Sequence, residues 1–352
     1  MASRRHFLRA CAASAAGLAW VAGAHAEDQP AAAKPDPLLT PEAEKAVAAG
    51  RKFLKDAQHK DGAFGVSAYK GSVAVTSLCG LALWSGADRG GAGDGDPAVN
   101  AVLDFVLGQE DPKQQGFLHN PNATPHGPMY EHGFGVEFLA AALGDVADKK
   151  RAEKVRDLLG RAVALTLASQ NAEKGWRYVP ESKDSDLSVT LVQVCALRAA
   201  RDAGVGVPKA VLDDAAGYIK KCQDSSGGFR YMPQAGTVGW ARTAAGLLAL
   251  YCAGVTRGKE VEGALAYLLK NRPDPKAAGK DLHHFYGHAY AALATWAAGG
   301  DARKDWYTAA RDELIAGQGA DGGWSDPIDP HYATAQALIA LQAPNGRLSP
   351  EF

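Results

Sequence analysis

The chain has 352 residues, 47% of them hydrophobic and 22% charged, with a formal net charge of −1. So even a balance provides no basic footprint for nucleic acid and no acidic tract. Five cysteines stand without metal-ligand spacing, and Cys79, Cys195, Cys222 and Cys252 read as buried free thiols.

At the front, Arg4 and Arg5 precede an apolar stretch from Ala10 to Ala24 and a small-residue cleavage site ending at Ala26. This pattern predicts a twin-arginine signal peptide over residues 1–26, and with it a protein exported to the periplasm or secreted. A Pro/Ala-rich tether over 27–40 leads to Thr40, Pro41 and Glu42, which read as a helix start. One repeat domain is expected over 41–352, with no later segment long enough to anchor the mature chain across a bilayer.

Within that domain a short phrase recurs, a Gln followed by a Gly-containing turn and an aromatic residue. Copies begin at Gln58, Gln170, Gln223 and Gln318 and end at Phe64, Trp176, Phe229 and Trp324, with a weaker copy from Gln109 to Phe117. The steps between them are 51, 61, 53 and 95 residues, the last close to two periods, and Asn271 stands where the missing copy belongs. Repeats of this length mean one supersecondary unit copied several times.

Each Gln is preceded by apolar residues at helical spacing, such as Tyr218 and Ile219, and each turn is followed by a second helix. The second helices superimpose at Thr76, His132, Thr190, Thr243, His288 and Thr334. They are rich in Ala and Gly and suit an inner ring. The more charged first helices, such as the one over Arg151 to Arg161, suit an outer ring facing water. Six such hairpins predict an all-α, α/α toroid, with an open solenoid as the alternative.

The recurrent phrase resembles the QW repeats of squalene and terpene cyclases and the matching repeats of protein prenyltransferase β subunits. More narrowly, the segments Gly127 to Gly133, Asp186 to Thr190, Phe285 to His288 and Tyr332 to Ala335 resemble the exported prenyltransferase/squalene oxidase repeat proteins of bacteria. The resemblance covers nearly all of the chain after residue 40 and implies the α/α-toroid fold. Against the Asp-x-Asp-Asp of squalene-hopene cyclases, Asp184 and Asp186 keep two carboxylates, and Leu187 replaces the last. Against the prenyltransferase zinc ligands, Asp186 stands on the Asp, Ser188 on the Cys and Ala333 on the His, so two of three ligands are gone.

In such a ring every inner helix starts at the same rim, which their dipoles make mildly electropositive. Candidate catalytic residues there are Asp186, Asp184, His288 and His132. Candidate ligand-binding residues are Tyr130, Glu131, Trp240 and Arg242, and on the last two repeats His284, Tyr286, His331 and Tyr332. Capping is the competing role for Asp186, and a hydrogen-bonded core position the competing role for His132 and His288. A metal is not required by any recognised spacing. Neighbouring repeats do leave one option, in which His283, His284 or His288 meets Asp329 or His331.

The expected occupant is a small molecule, an isoprenoid-like chain in the central cavity with cyclase-type acid chemistry. A glycan served by acid/base residues is the second reading, and a non-catalytic binding scaffold the third.

Overall fold

The computed structural model describes residues 36–86, 95–273 and 283–350. The expected signal peptide and most of the tether lie outside the described residues, as does the turn of the fifth repeat over 274–282. Six outer helices are α1 (Pro41–Ala57), α3 (Pro97–Leu107), α5 (Lys149–Ala168), α7 (Lys209–Lys221), α9 (Lys259–Lys270) and α11 (Gly300–Ala316). They alternate with six inner helices, α2 (Val73–Ser85), α4 (Pro128–Leu143), α6 (Leu187–Asp202), α8 (Trp240–Cys252), α10 (His284–Ala298) and α12 (Pro330–Leu341). The first starts where the sequence predicts, with the Thr40 hydroxyl accepting the Ala43 N–H at 3.3 Å.

Composition decides which helix goes inside. Eleven of the thirteen residues of α2 are buried, whereas α5 buries only six of its twenty, along one stripe. Each inner helix packs on the next, and α12 packs on α2, so the ring is closed and not an open solenoid. The outer helix α1 lies against both α12 and α2 and covers that seam.

The recurrent phrase is the device that joins one hairpin to the next. Its Gln side-chain amide donates both to its own turn and to the first turns of the next outer helix. Gln58 reaches Gly62 and Ala98, Gln170 reaches Lys174 and Val211, Gln223 reaches Gly227 and Glu260, and Gln318 reaches Gly322 and Ala46, all at 2.7–3.2 Å. In the weaker copy Glu110 takes over, accepting the Gly116 N–H and pairing with Arg161 of α5. The turn needs a left-handed residue four places after the Gln, which Gly62, Gly227 and Gly322 supply. The third repeat places Lys174 there at φ 74°.

The turn then locks onto its own inner helix through the position that superimposes across repeats. The N–H of Phe64, Trp176, Phe229 and Trp324 donates to the hydroxyl of Thr76, Thr190, Thr243 and Thr334 respectively, at 2.9–3.1 Å. His132 performs the same task in the second repeat, where its Nδ1 accepts the Leu118 N–H at 3.3 Å. All four described cysteines are free and buried, and the Cys195 and Cys252 sulfurs approach to 3.2 Å.

Candidate functional site

Because every inner helix follows its turn in the same direction, the six inner N-termini surround one opening. A cavity of about 660 Å³ enters there, and all six inner helices line it with first- or second-turn residues. Val75 and Leu78 of α2 and Phe134 of α4 form apolar wall. Six tyrosines surround the space: Tyr130, Tyr286 and Tyr332 from the inner helices, and Tyr69, Tyr178 and Tyr231 from the loops before them. The loop hydroxyls are already tied, Tyr69 to His126 at 2.5 Å and Tyr178 to Tyr231. Burial raises the Tyr130 and Tyr286 phenols well above their ordinary range, so both remain neutral donors.

Glu131 is the one carboxylate on this wall among the described residues. It is 2% exposed. Ser72 Oγ donates to one of its oxygens at 2.8 Å and the Asn120 N–H to the other at 2.7 Å. Burial outweighs those bonds and pushes its pKa up to about 7. A carboxyl of that strength can hold a proton at neutral pH and release it to a bound molecule.

Three buried polar atoms on the same wall have no protein partner: Arg242 Nε, the Tyr286 hydroxyl and the Thr124 hydroxyl. The Arg242 Nη2 donates to Thr237, at 2.6 Å to its carbonyl and 3.0 Å to its hydroxyl, which fixes the guanidinium and leaves Nε for something else. Buried donors are costly to leave unmade, so these mark where a ligand's acceptor group fits.

His283 of the expected metal option lines the cavity, and of the twelve candidate catalytic and ligand-binding residues five meet there: Tyr130, Glu131, Arg242, Tyr286 and Tyr332. The other seven do not line it. Asp186 is the N-cap of α6, with Oδ1 accepting from the Val189 N–H and the Ser188 hydroxyl, both at 2.9 Å. Its Oδ2 lies 3.9 Å from Arg177 without a hydrogen bond, and burial raises its pKa. Asp184 is exposed and pairs with Arg177. His132 turns outward, its Nε2 at 2.8 Å from the Thr166 hydroxyl, and burial lowers its pKa to about 3, so it is a neutral structural imidazole.

His331 Nδ1 accepts the Gly65 N–H at 2.9 Å, and Asp329 accepts the Val66 N–H at 2.7 Å while capping α12. Both are thus committed to the first repeat, which removes them as metal partners for the fifth-repeat histidines. His284, His288 and Trp240 gather on the outer side of α10 instead, beside Glu313 of α11. Sequence reasoning missed Glu313 and the loop tyrosines. The signal for Glu313 was present only as a lone acid on a charged outer helix.

No protein-family model and no curated protein matches the chain. Solved structures do. Type II terpene cyclase MstE from Scytonema, in complex with the product merosterolic acid A, is similar with a TM-score of 0.60 at 15% identity. The match covers 89% of this chain and 99% of that one. The same enzyme with its substrate, geranylgeranyl dihydroxybenzoate, gives 0.57 at 14% identity, over 89% and 98%. An α-1,6-mannanase, GH76A of Salegentibacter, in complex with α-1,6-mannotriose, gives 0.60 at 9% identity, over 87% and 99%. The chain shares the α/α-toroid fold of both enzymes. At these identities the likeness concerns the fold, and no helix among the described residues is long and apolar enough to cross a membrane.

Proposed function

We propose that the central cavity binds an amphiphilic small molecule with an isoprenoid-like apolar body, and that Glu131 is its proton donor. The observation that carries this reading is one buried carboxyl among the described residues, with a pKa near 7, on the wall of a cavity lined mainly by tyrosines and apolar side chains. Val75, Leu78 and Phe134 accept the apolar body, and Arg242 Nε and the Tyr286 hydroxyl take a polar group at one end. Tyrosine faces stabilise positive charge that develops along the chain after protonation. Since a carboxyl near 7 is a weak acid for an unactivated alkene, an epoxide or an allylic oxygen is the better-matched target.

The terpene cyclase structures with substrate and product support this occupant by fold. The mannanase makes an oligosaccharide the competitor, but hydrolysis of glycosides ordinarily uses two carboxyl groups across the bond, and among the described residues this wall offers one. The chain is read as a protein that works after twin-arginine export, in the periplasm or beyond, with residues 1–26 removed.

Equilibrium binding of a fluorescent geranylgeraniol analogue tests the proposal. One molecule per chain should bind, and Tyr286→Phe should weaken it about 5–10-fold, the worth of one hydrogen bond. The melting temperature should stay unchanged, because that hydroxyl has no protein partner. Saturable binding of α-1,6-mannotetraose with none of the prenyl alcohol would overturn the assignment.

A further inference from the structure

We infer that His284, His288 and Glu313 form a binding site for a divalent transition metal of the zinc class, on the outer side of α10 and apart from the central cavity. The two histidines stand four residues apart and so share one face of α10. The chain reverses at Gly299 and Gly300, and α11 runs back along α10 to bring Glu313 opposite them. Oε1 of Glu313 lies 2.9 Å from His284 Nε2 and 3.4 Å from His288 Nε2. All the candidate ligand atoms lie within 4.8 Å of one another.

Ligand atoms bound tetrahedrally at about 2.0–2.2 Å sit roughly 3.4 Å from each other. One contact already has that length, and the other needs about half an ångström of opening by the same geometry. An ion-pair network is the plainer alternative, with both imidazoles on one carboxylate. Two observations favour a metal over it. First, both Nε2 atoms and Glu313 Oε1 converge on one point, His288 Nε2 standing 3.4 Å from Glu313 Oε1, a length that suits two ligands of one ion better than a direct hydrogen bond. Second, His288 has a different set of neighbours among the described residues from those at the same position elsewhere. The residue in the position of His288 accepts a turn N–H in the other five repeats, at Thr76, His132, Thr190, Thr243 and Thr334. In the fifth repeat, His288 is buried against Glu313 and Trp240 instead, the Trp240 ring centroid 5.2 Å from its own.

A groove of about 620 Å³ reaches this cluster, with His284 and Glu313 on its wall beside Phe53, Phe285 and Trp324. It shares no lining residue with the central cavity. Three protein ligands leave a fourth coordination position for water or a small ligand, on the side where His284 and Glu313 border the groove. Trp240 and Trp306 pack beside the His288 ring and give it an apolar surround.

The test uses the full chain stripped with a chelator, with zinc and cobalt(II) salts as probes. One zinc per chain should remain after desalting, and cobalt should give the visible absorption of a low-coordinate nitrogen/oxygen site at the same stoichiometry. Glu313→Gln and His288→Gln should each weaken binding by more than the ~10–100-fold that an outer-shell change costs. His126→Ala, at the central cavity, should leave it unaltered. Should both ligand variants fail to fold, the wild-type cobalt titration decides alone. Substoichiometric zinc with no cobalt band, or binding untouched in both folded variants, would overturn the site.

Discussion

Replacing Trp324 with alanine should cost about 3–5 kcal/mol of stability, the range for emptying a buried tryptophan site. The side chain is 3% exposed, and its Nε1 donates to the Leu314 carbonyl at 2.8 Å. Its ring lies against Gly50 of α1, where a Cβ would come within 2.8 Å of it. Two further contacts join the same pair of hairpins: Gln318 donates to the Ala46 carbonyl, and Gly322 approaches Ala49. This is the seam at which the last repeat meets the first, and it involves residues some 270 positions apart. Losing it exposes the α12 to α2 face as well as the tryptophan site.

Gly50→Leu attacks the seam from the other side by overpacking and should cost about 1–3 kcal/mol or more. Trp176→Ala is the control. That ring makes the equivalent bond, to the Thr166 carbonyl at 2.8 Å, but at a mid-chain junction where chain connectivity holds the hairpins together. Urea unfolding should show a larger loss for Trp324→Ala than for Trp176→Ala. Equal losses would mean that closure contributes nothing beyond local packing.

Glu131→Gln should separate binding from chemistry and change the pH dependence of stability. An amide can accept the Asn120 N–H and donate to the Ser72 hydroxyl, so the fold tolerates it. Folded Glu131 keeps its proton up to about pH 7, whereas the unfolded chain releases it near the ordinary glutamate value of 4.5. Between those values the native state binds more protons. Stability therefore falls as pH rises through that window, and above it the full penalty is present, on the order of 3 kcal/mol. Relative to wild type, the variant should gain stability at pH 8 and not at pH 4. Glu137 on the same helix is also raised to about 7 by burial, but it is common to both proteins and cancels in the difference. Turnover of any substrate that needs the proton should fall by about 10²–10⁴-fold, while the prenyl alcohol still binds. Parallel stability curves for the two proteins across pH would show that Glu131 titrates alike in the folded and unfolded chain, which contradicts a raised pKa.

Much of the fold is legible because the repeat states its own physics. A Gln, a glycine turn and an aromatic residue recur with a Thr on the following helix, and each has the same partner in every copy that keeps it. Helix spacing identifies which residues share a face, but not what the next hairpin presents to that face. His132 and His288 occupy one superimposed position, yet one accepts a turn N–H and the other meets Glu313. Asp186 illustrates the same limit, since an acid before a helix serves equally as a cap or as an acid catalyst until its surroundings are seen. Tyr69, Tyr178 and Tyr231 sit in irregular segments, where no periodicity announces that they turn toward the cavity. Glu131, by contrast, lines the cavity, because the first turn of an inner helix has only the central space and its neighbours to face.

Native mass spectrometry of the protein isolated from its own cells, followed by solvent extraction, tests the central claim most directly. The account predicts one bound molecule per chain with an isoprenoid-like mass, lost or depleted in a Tyr286→Phe, Phe134→Ala double variant. A bound oligosaccharide, or a protein that carries nothing and takes up no prenyl alcohol when offered it, would contradict the account.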